Sequence, residues 1–142
     1  MREKDLYLKD CLLVPYALNP ENPRSRFVEF FKDKNQIHIY FNMRVKNPPE
    51  CAAVVIILPK HEIKLIKIEA TLYNNNSSID PYIYLELRNQ DKIKYYERNI
   101  AGMNKRSFEI AEDTSEIVFT CWRSINECYE GEMLVKFYEV CI

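Results

Sequence analysis

The stretch IHIYFNMRV at residues 37–45 decides the fold. Alternate side chains share one side of an extended strand, and one side here is wholly apolar: Ile37, Ile39, Phe41, Met43 and Val45. The other side is polar or aromatic: His38, Tyr40, Asn42 and Arg44. On a helix, residues that alternate in this way would be spread around the whole circumference and would form no single apolar face. The pattern therefore predicts a half-buried β-strand.

The same alternation returns along the chain, interrupted by turn residues at intervals of about 8 to 14 residues. It predicts strands at residues 5–14, 37–45, 51–58, 63–72, 82–88, 92–98, 106–111, 116–122 and 132–142. The sequence contains no long amphipathic helical pattern. We therefore predict an all-β protein, an antiparallel β-sandwich of jelly-roll type with eight to nine strands and little helix.

The segment RFVEFF at residues 26–31 fits two local structures. Phe27, Phe30 and Phe31 have helical spacing and would suit one or two helical turns. The polar turn at residues 32–36 leads directly into the strongest strand pattern of the chain, which favours a β-hairpin. We predict the hairpin and keep the short helix as the alternative.

Length and charge exclude several classes of protein. The chain has 142 residues, so we predict one domain over residues 1–142. Its 20 basic and 21 acidic residues argue against a nucleic-acid partner, although lysines and arginines lie near Tyr95 and Tyr96. The longest apolar run, residues 51–58, is far shorter than the ~20 residues that cross a bilayer, so we expect no membrane span.

Five cysteines occur, and no two of them have CxxC spacing. An odd number of cysteines in mostly apolar segments favours buried thiols in a reducing compartment, so we expect a cytoplasmic protein. A disulfide between Cys121 and Cys128 across a loop is the alternative. Zinc is disfavoured because the chain has two histidines and neither lies near a cysteine pair. We expect no metal and no cofactor.

The sequence carries no signal of catalysis. GxSxG, HExxH and P-loop motifs are all missing from it. His38 falls on the polar side of a strand and His61 in a turn, so neither histidine is placed beside a cysteine nucleophile. Carboxylate pairs are expected by chance among 21 acidic residues. We predict that the protein is not an enzyme and assign no catalytic residue.

Tyrosines at strand positions, several of them opposite an apolar face, give the strongest functional signal. With the arginines on the same sides and the single tryptophan, they form the predicted binding set: Tyr40, Arg44, Tyr82, Tyr84, Arg88 and Trp122. Tyrosine and arginine suit protein interfaces because each combines a large contact area with a polar group. The alternative is that a second layer covers these tyrosines, which would then serve packing.

These features predict a non-catalytic structural or protein-interaction module whose partner is another protein or a second copy of the chain. A carbohydrate-binding, lectin-like module is the alternative, because sugars stack on the same aromatic rings. Abundant Tyr, Ile, Lys and Asn have AT-rich codons, which suggests an AT-rich genome such as that of a large DNA virus, a phage, a parasite or a low-GC bacterium. The module would then belong to a viral particle, in the virion or the host cell, or to another multi-chain assembly.

The C-terminal part of the sequence has a characteristic spacing of two predicted strands and the loop between them. Residues 117–122, a loop and residues 133–142 are similar in spacing to the closing strands of galactose-binding-like jelly rolls. That resemblance implies a jelly-roll fold. No motif of the family matches residue by residue, so it assigns no site residues.

Overall fold

The computed structural model describes residues 2–5, 12–18, 28–42, 51–60, 63–73, 83–90, 92–97, 100, 105–122 and 130–141. At residues 2–5, 12–18, 122 and 141 it describes the backbone alone. All the regular secondary structure in these segments is β-strand. None of them forms a helix with the length and apolar character that crossing a membrane requires.

Eleven strands lie in the described segments. In chain order they are β1 (Arg2–Asp5), β2 (Leu12–Leu18), β3 (Val28–Asp33), β4 (Gln36–Asn42), β5 (Cys51–Ile57), β6 (Leu65–Tyr73), β7 (Ile83–Asn89), β8 (Lys92–Glu97), β9 (Arg106–Glu109), β10 (Glu116–Trp122) and β11 (Glu130–Cys141). The number exceeds the eight to nine expected. Two separate strands, β1 and β2, occur where one strand over residues 5–14 was predicted, and β3 is the first strand of the predicted hairpin, which that count did not include.

The strands form two antiparallel sheets. The first sheet has the order β3-β4-β11-β6-β9, and β1 also pairs with β11. The second sheet has the order β2-β5-β10-β7-β8. Because β11 is twelve residues long, β4 pairs with its first half and β1 with its last residues. The all-β, antiparallel sandwich predicted from the alternation is confirmed.

The last eight strands follow the winding of a jelly roll. They pair as β4 with β11, β5 with β10, β6 with β9 and β7 with β8. Successive pairs alternate between the two sheets, which is what results when one long antiparallel hairpin is rolled up. The jelly-roll type is therefore confirmed, with β1, β2 and β3 added at the N-terminal side.

The segment with two predicted structures is a β-hairpin. Strand β3 pairs with β4 from Val28 opposite Phe41 to Asp33 opposite Gln36. The two-residue turn between them has Lys34 at a φ of 51°, in the left-handed region that tight hairpin turns use. Residues 28–33 are thus extended, and the helical alternative does not apply to them. Phe27 lies outside the described residues.

The core lies between the sheets and is built from the apolar side of each strand. Ile37, Ile39 and Phe41 are completely buried, as the opening pattern predicts. Phe119 of the second sheet and Phe137 of the first meet edge to face with ring centroids 6.0 Å apart. Burying side chains of this size contributes about 1.5–3 kcal/mol each. The polar sides of the strands are left to form the outer faces.

Candidate functional site

A row of polar and aromatic side chains crosses the outer face of the first sheet. In the register of its strands, Glu29 lies opposite Tyr40, Tyr40 opposite Glu132, and Glu132 opposite Tyr73. The described neighbours of each one along its strand face the core, so this row points away from it. Four strands thus bring two tyrosines and two carboxylates into one line.

The neighbouring row adds a histidine that joins two members of the first. His38 Nε2 lies 2.9 Å from Glu132 Oε2 and 2.5 Å from the Tyr73 hydroxyl. A neutral imidazole nitrogen serves one of these partners at a time: with a proton it donates to Glu132, and without one it accepts from Tyr73. The His38 and Tyr73 rings also contact each other, with centroids 5.5 Å apart. We call His38, Tyr40, Tyr73, Glu130 and Glu132 the tyrosine–carboxylate cluster.

Tyr40 is the member most affected by its surroundings. Its hydroxyl donates a 2.5 Å hydrogen bond to Glu130 Oε1. That bond, followed by burial and by the charges of Glu130, Glu29 and Glu132, raises the pKa of Tyr40 to about 12. Each of these three carboxylates disfavours a further negative charge at the phenol. The potential at this point of the sheet is therefore negative.

A shallow cleft of about 310 Å³ opens beside the cluster. Its lining residues come from β3, β4 and β11: Glu29, Phe30, Phe31, His38, Tyr40 and Glu132. Phe31 is 69% exposed, which makes it the most exposed large hydrophobic residue in the described part of the chain. The lining of the cleft thus combines an aromatic ring in solvent with two carboxylates, Glu29 and Glu132.

Charge is unevenly distributed over this face. The outward side chains of β3, β4, β6 and β11 include five carboxylates: Glu29, Asp33, Glu69, Glu130 and Glu132. The same strands carry two outward lysines, Lys67 and Lys136. The chain as a whole has a formal charge of only −1. The described outward side chains of these four strands are therefore more acidic than the molecule on average.

The six predicted binding residues do not form one surface. Tyr40 lies in the first sheet and belongs to the cluster. Tyr84 and Arg88 are half-buried on the outer face of the second sheet, on the opposite side of the sandwich. Strands β4 and β7 enter different sheets although their alternation is the same, so the set is divided between two outer faces. A binding role for its residues stays a prediction. Arg44, Tyr82 and the side chain of Trp122 lie outside the described residues.

On the second sheet, Arg88 forms an ion pair with a neighbour on its own strand. Its Nε donates to Glu86 Oε2 at 2.6 Å, and a second guanidinium nitrogen also contacts that oxygen. Glu86 is only 7% exposed, although it points away from the main core. Arg88 thus neutralises a nearly buried carboxylate. That role makes it a weaker candidate for binding than the residues of the first sheet.

Four members of the cluster were not selected from the sequence. His38 was interpreted as a surface residue, and Tyr73, Glu130 and Glu132 received no role. Glu132 comes from a strand 94 positions beyond His38. The alternation of β11 does place Glu130 and Glu132 on its polar side, so a signal existed. What was missing was the pairing of β11 with both β4 and β6.

The described residues contain no set of three or more His, Cys, Asp or Glu placed to hold a metal ion. Cys121 carries a free thiol and is completely buried. The disulfide considered as an alternative would join it to Cys128. Cys128 itself lies outside the described residues. Burial, with a smaller effect of Cys51, raises the pKa of the Cys121 thiol well above its ordinary value. Such a thiol is unsuited to act as a nucleophile.

Comparisons with known proteins concern the fold. Neither a protein-family model nor a curated protein matches the sequence. Among solved structures, the chain is similar to the K1 cleaved adhesin domain of Lys-gingipain from Porphyromonas gingivalis W83. The two share 6% sequence identity with a TM-score of 0.52, over 99% of this chain and 98% of that chain. At this identity the likeness supports the architecture of the sandwich.

Proposed function

We propose that this chain is a non-catalytic interaction module that binds a protein partner through the outer face of its first sheet. The observation that carries the proposal is the row of Glu29, Tyr40, Glu132 and Tyr73 beside the exposed ring of Phe31. Aromatic residues that reach solvent next to fixed polar groups are typical of protein interfaces. An adhesin domain with a similar fold is consistent with a binding role.

The partner segment is a basic one that inserts a lysine or arginine side chain into the cleft. Glu29 and Glu132 line the cleft, and their charges act on Tyr40 together with that of Glu130. A cation entering there is attracted by all three carboxylates. The exposed face of Phe31 suits the alkyl stem or guanidinium plane of such a side chain. The Tyr40 phenol keeps its proton, so the attraction for a cation comes from the carboxylates alone.

The first experiment titrates the isotope-labelled chain with a short peptide of alternating arginine and serine. A second peptide, with citrulline in place of arginine, keeps the shape and removes the charge. We expect saturable NMR shifts in β3, β4 and β11 with the arginine peptide, and binding at least about threefold weaker with citrulline. Equal binding of both peptides would contradict the cationic partner.

Matched variants locate the site. Glu132→Gln removes one cleft carboxylate, and we expect about threefold to fivefold weaker binding of the arginine peptide. Glu116→Gln makes the same change on the outer face of the second sheet and should leave the affinity unchanged. If both variants lowered the affinity equally, the peptide would be attracted by the overall charge of the protein and would not bind at a defined site on this face.

Carbohydrate binding is the second candidate, since tyrosines beside carboxylates also suit sugar hydroxyls. It is tested by presenting the chain to a glycan array. A specific glycan signal without peptide binding would replace the protein partner by the lectin-like alternative. No binding in either the peptide titration or the glycan array would overturn a binding role for this face. Membership of a viral particle or another multi-chain assembly stays a prediction from the sequence.

A further inference from the structure

A second and larger cleft lies at the other edge of the sandwich. Strands β9 and β8 are the last strands of the first and second sheets, and the cleft opens where these two edges meet. Its volume is about 550 Å³, within the range of small-molecule sites in proteins. We call it the edge cleft. It shares no lining residue with the cleft beside Tyr40 and Phe31.

The base of the edge cleft is apolar. Leu87 and Ile110 both line it, yet they are only 1% and 4% exposed and belong to the main core. Leu65 adds a half-buried aliphatic side chain. The backbone amide of Ile110 donates to the Lys64 carbonyl at 2.9 Å, which ties together two sides of the opening. An apolar body placed here would therefore rest on a fixed surface.

One wall of the edge cleft is the ring of Tyr95, which a series of hydrogen bonds holds in position. The Tyr95 hydroxyl donates to Glu97 at 2.8 Å, and Arg106 binds the same carboxylate at 2.9 Å. The pKa of Glu97 is lowered, first by its hydrogen bond with Arg106, so the carboxylate stays charged and keeps both partners. The Tyr95 ring also packs against Phe108, with centroids 5.6 Å apart. The ring is 40% exposed and so remains available to a ligand.

The rim is polar and carries two ammonium groups. Lys64 and Lys94 both line the cleft, against one lining carboxylate, Glu109. Lys64 is exposed, and Lys94 Nζ lies 3.6 Å from Asp113 Oδ2 in a solvent-exposed pair. Exposed ion pairs at this distance contribute little stabilisation, so a better-placed anion can replace Asp113 as the partner of Lys94. Apolar base, aromatic wall and cationic rim together select an amphipathic molecule.

We propose that the edge cleft binds a small amphipathic acid, a molecule with one anionic head group and an apolar body that fits within about 550 Å³. The head group lies at Lys64 and Lys94. The body lies over Leu87 and Ile110 and against the Tyr95 ring. This site is separate from the proposed partner-binding face, and either can exist without the other.

The test uses decanoate and decanol as probes, below the concentrations at which they aggregate, with binding followed by calorimetry and by NMR of the labelled chain. We expect saturable binding of decanoate, with shifts in β8, β9 and Ile110, and about tenfold weaker binding of decanol. Equal affinities, or no saturable binding of either probe, would overturn the proposal.

Two variants complete the test. Lys64→Gln with Lys94→Gln should lower decanoate affinity to that of decanol and leave decanol unchanged. The matched control, Lys67→Gln with Lys136→Gln, makes the same charge change on the outer face of the first sheet and should alter neither affinity. Ala111→Trp, at an exposed lining position, should block both probes without lowering the melting temperature. Decanoate binding that survives Ala111→Trp would place the ligand elsewhere and refute the assignment.

Discussion

The Tyr40 hydroxyl donates a 2.5 Å hydrogen bond to Glu130 Oε1, although the two residues stand 90 positions apart in the chain. Tyr40 is directly opposite Glu132 in the register of β4 and β11, so the bond runs diagonally to the residue two positions before it. A carboxylate that accepts from the neutral phenol stabilises the protonated form of that phenol. This contact joins the hairpin of β3 and β4 to the central strand of the first sheet.

The first prediction follows from the raised pKa of Tyr40, about 12 against an ordinary value of 10.0. The folded state holds this proton more tightly than the unfolded state, so the contribution to stability is complete below pH 10 and is lost as the pH rises towards 12. We expect the native chain to lose stability over that window more steeply than a Tyr40→Phe variant. Chemical denaturation at pH 9, 10, 11 and 12 measures the difference, and parallel curves for the two proteins would contradict it.

The second prediction separates binding from packing within one hairpin. Phe31→Ala removes a ring that is 69% exposed, so the free energy of unfolding should change by less than about 0.5 kcal/mol. Phe41→Ala removes a completely buried ring and should cost about 3–5 kcal/mol. Urea denaturation of both variants gives the comparison. Loss of more than about 1 kcal/mol in Phe31→Ala would assign that ring to packing.

Much of the fold could be predicted because each strand has one side in the core. Ile37, Ile39 and Phe41 alternate with polar residues, and burial requires that alternation in any sandwich. The pattern is local, so it locates strands well. It does not state which sheet a strand joins, since strands of both sheets have the same alternation. That is why Tyr40 and Tyr84 were expected together but lie on opposite outer faces.

The candidate site was harder to predict than the fold for the same reason. Its contacts join β4 with β11 and β6, and His38 meets Glu132 across 94 positions of sequence. In a jelly roll, such pairs are set by how the long hairpin is wound, which depends on the packing of all the strands at once. A single tyrosine on the polar side of a strand, such as Tyr40, was therefore recognisable, whereas its partners were not.

The third prediction concerns the buried thiol of Cys121. Burial raises its pKa, so at pH 8 almost none of it is thiolate and reagents cannot reach it. We expect iodoacetamide to leave Cys121 unmodified in the folded chain and to modify it fully in 8 M urea. Mass spectrometry of the peptide that contains Cys121 measures both states. Rapid modification of the folded chain at a rate close to that in urea would show that this strand opens readily.

The last prediction tests the role of Arg88 on the second sheet. Glu86 is 7% exposed and its carboxylate is bound by the Arg88 guanidinium, whose side chain is 27% exposed. Arg88→Ala would leave the carboxylate nearly buried without this cation, which we expect to cost about 1–3 kcal/mol of unfolding free energy. Glu86→Gln in the same background removes the uncompensated charge, so the double variant should be more stable than Arg88→Ala alone. Urea denaturation of the wild type, the two single variants and the double variant gives the coupling free energy. Additive effects would mean that the two side chains act independently, and Arg88 would again be a candidate for binding a partner.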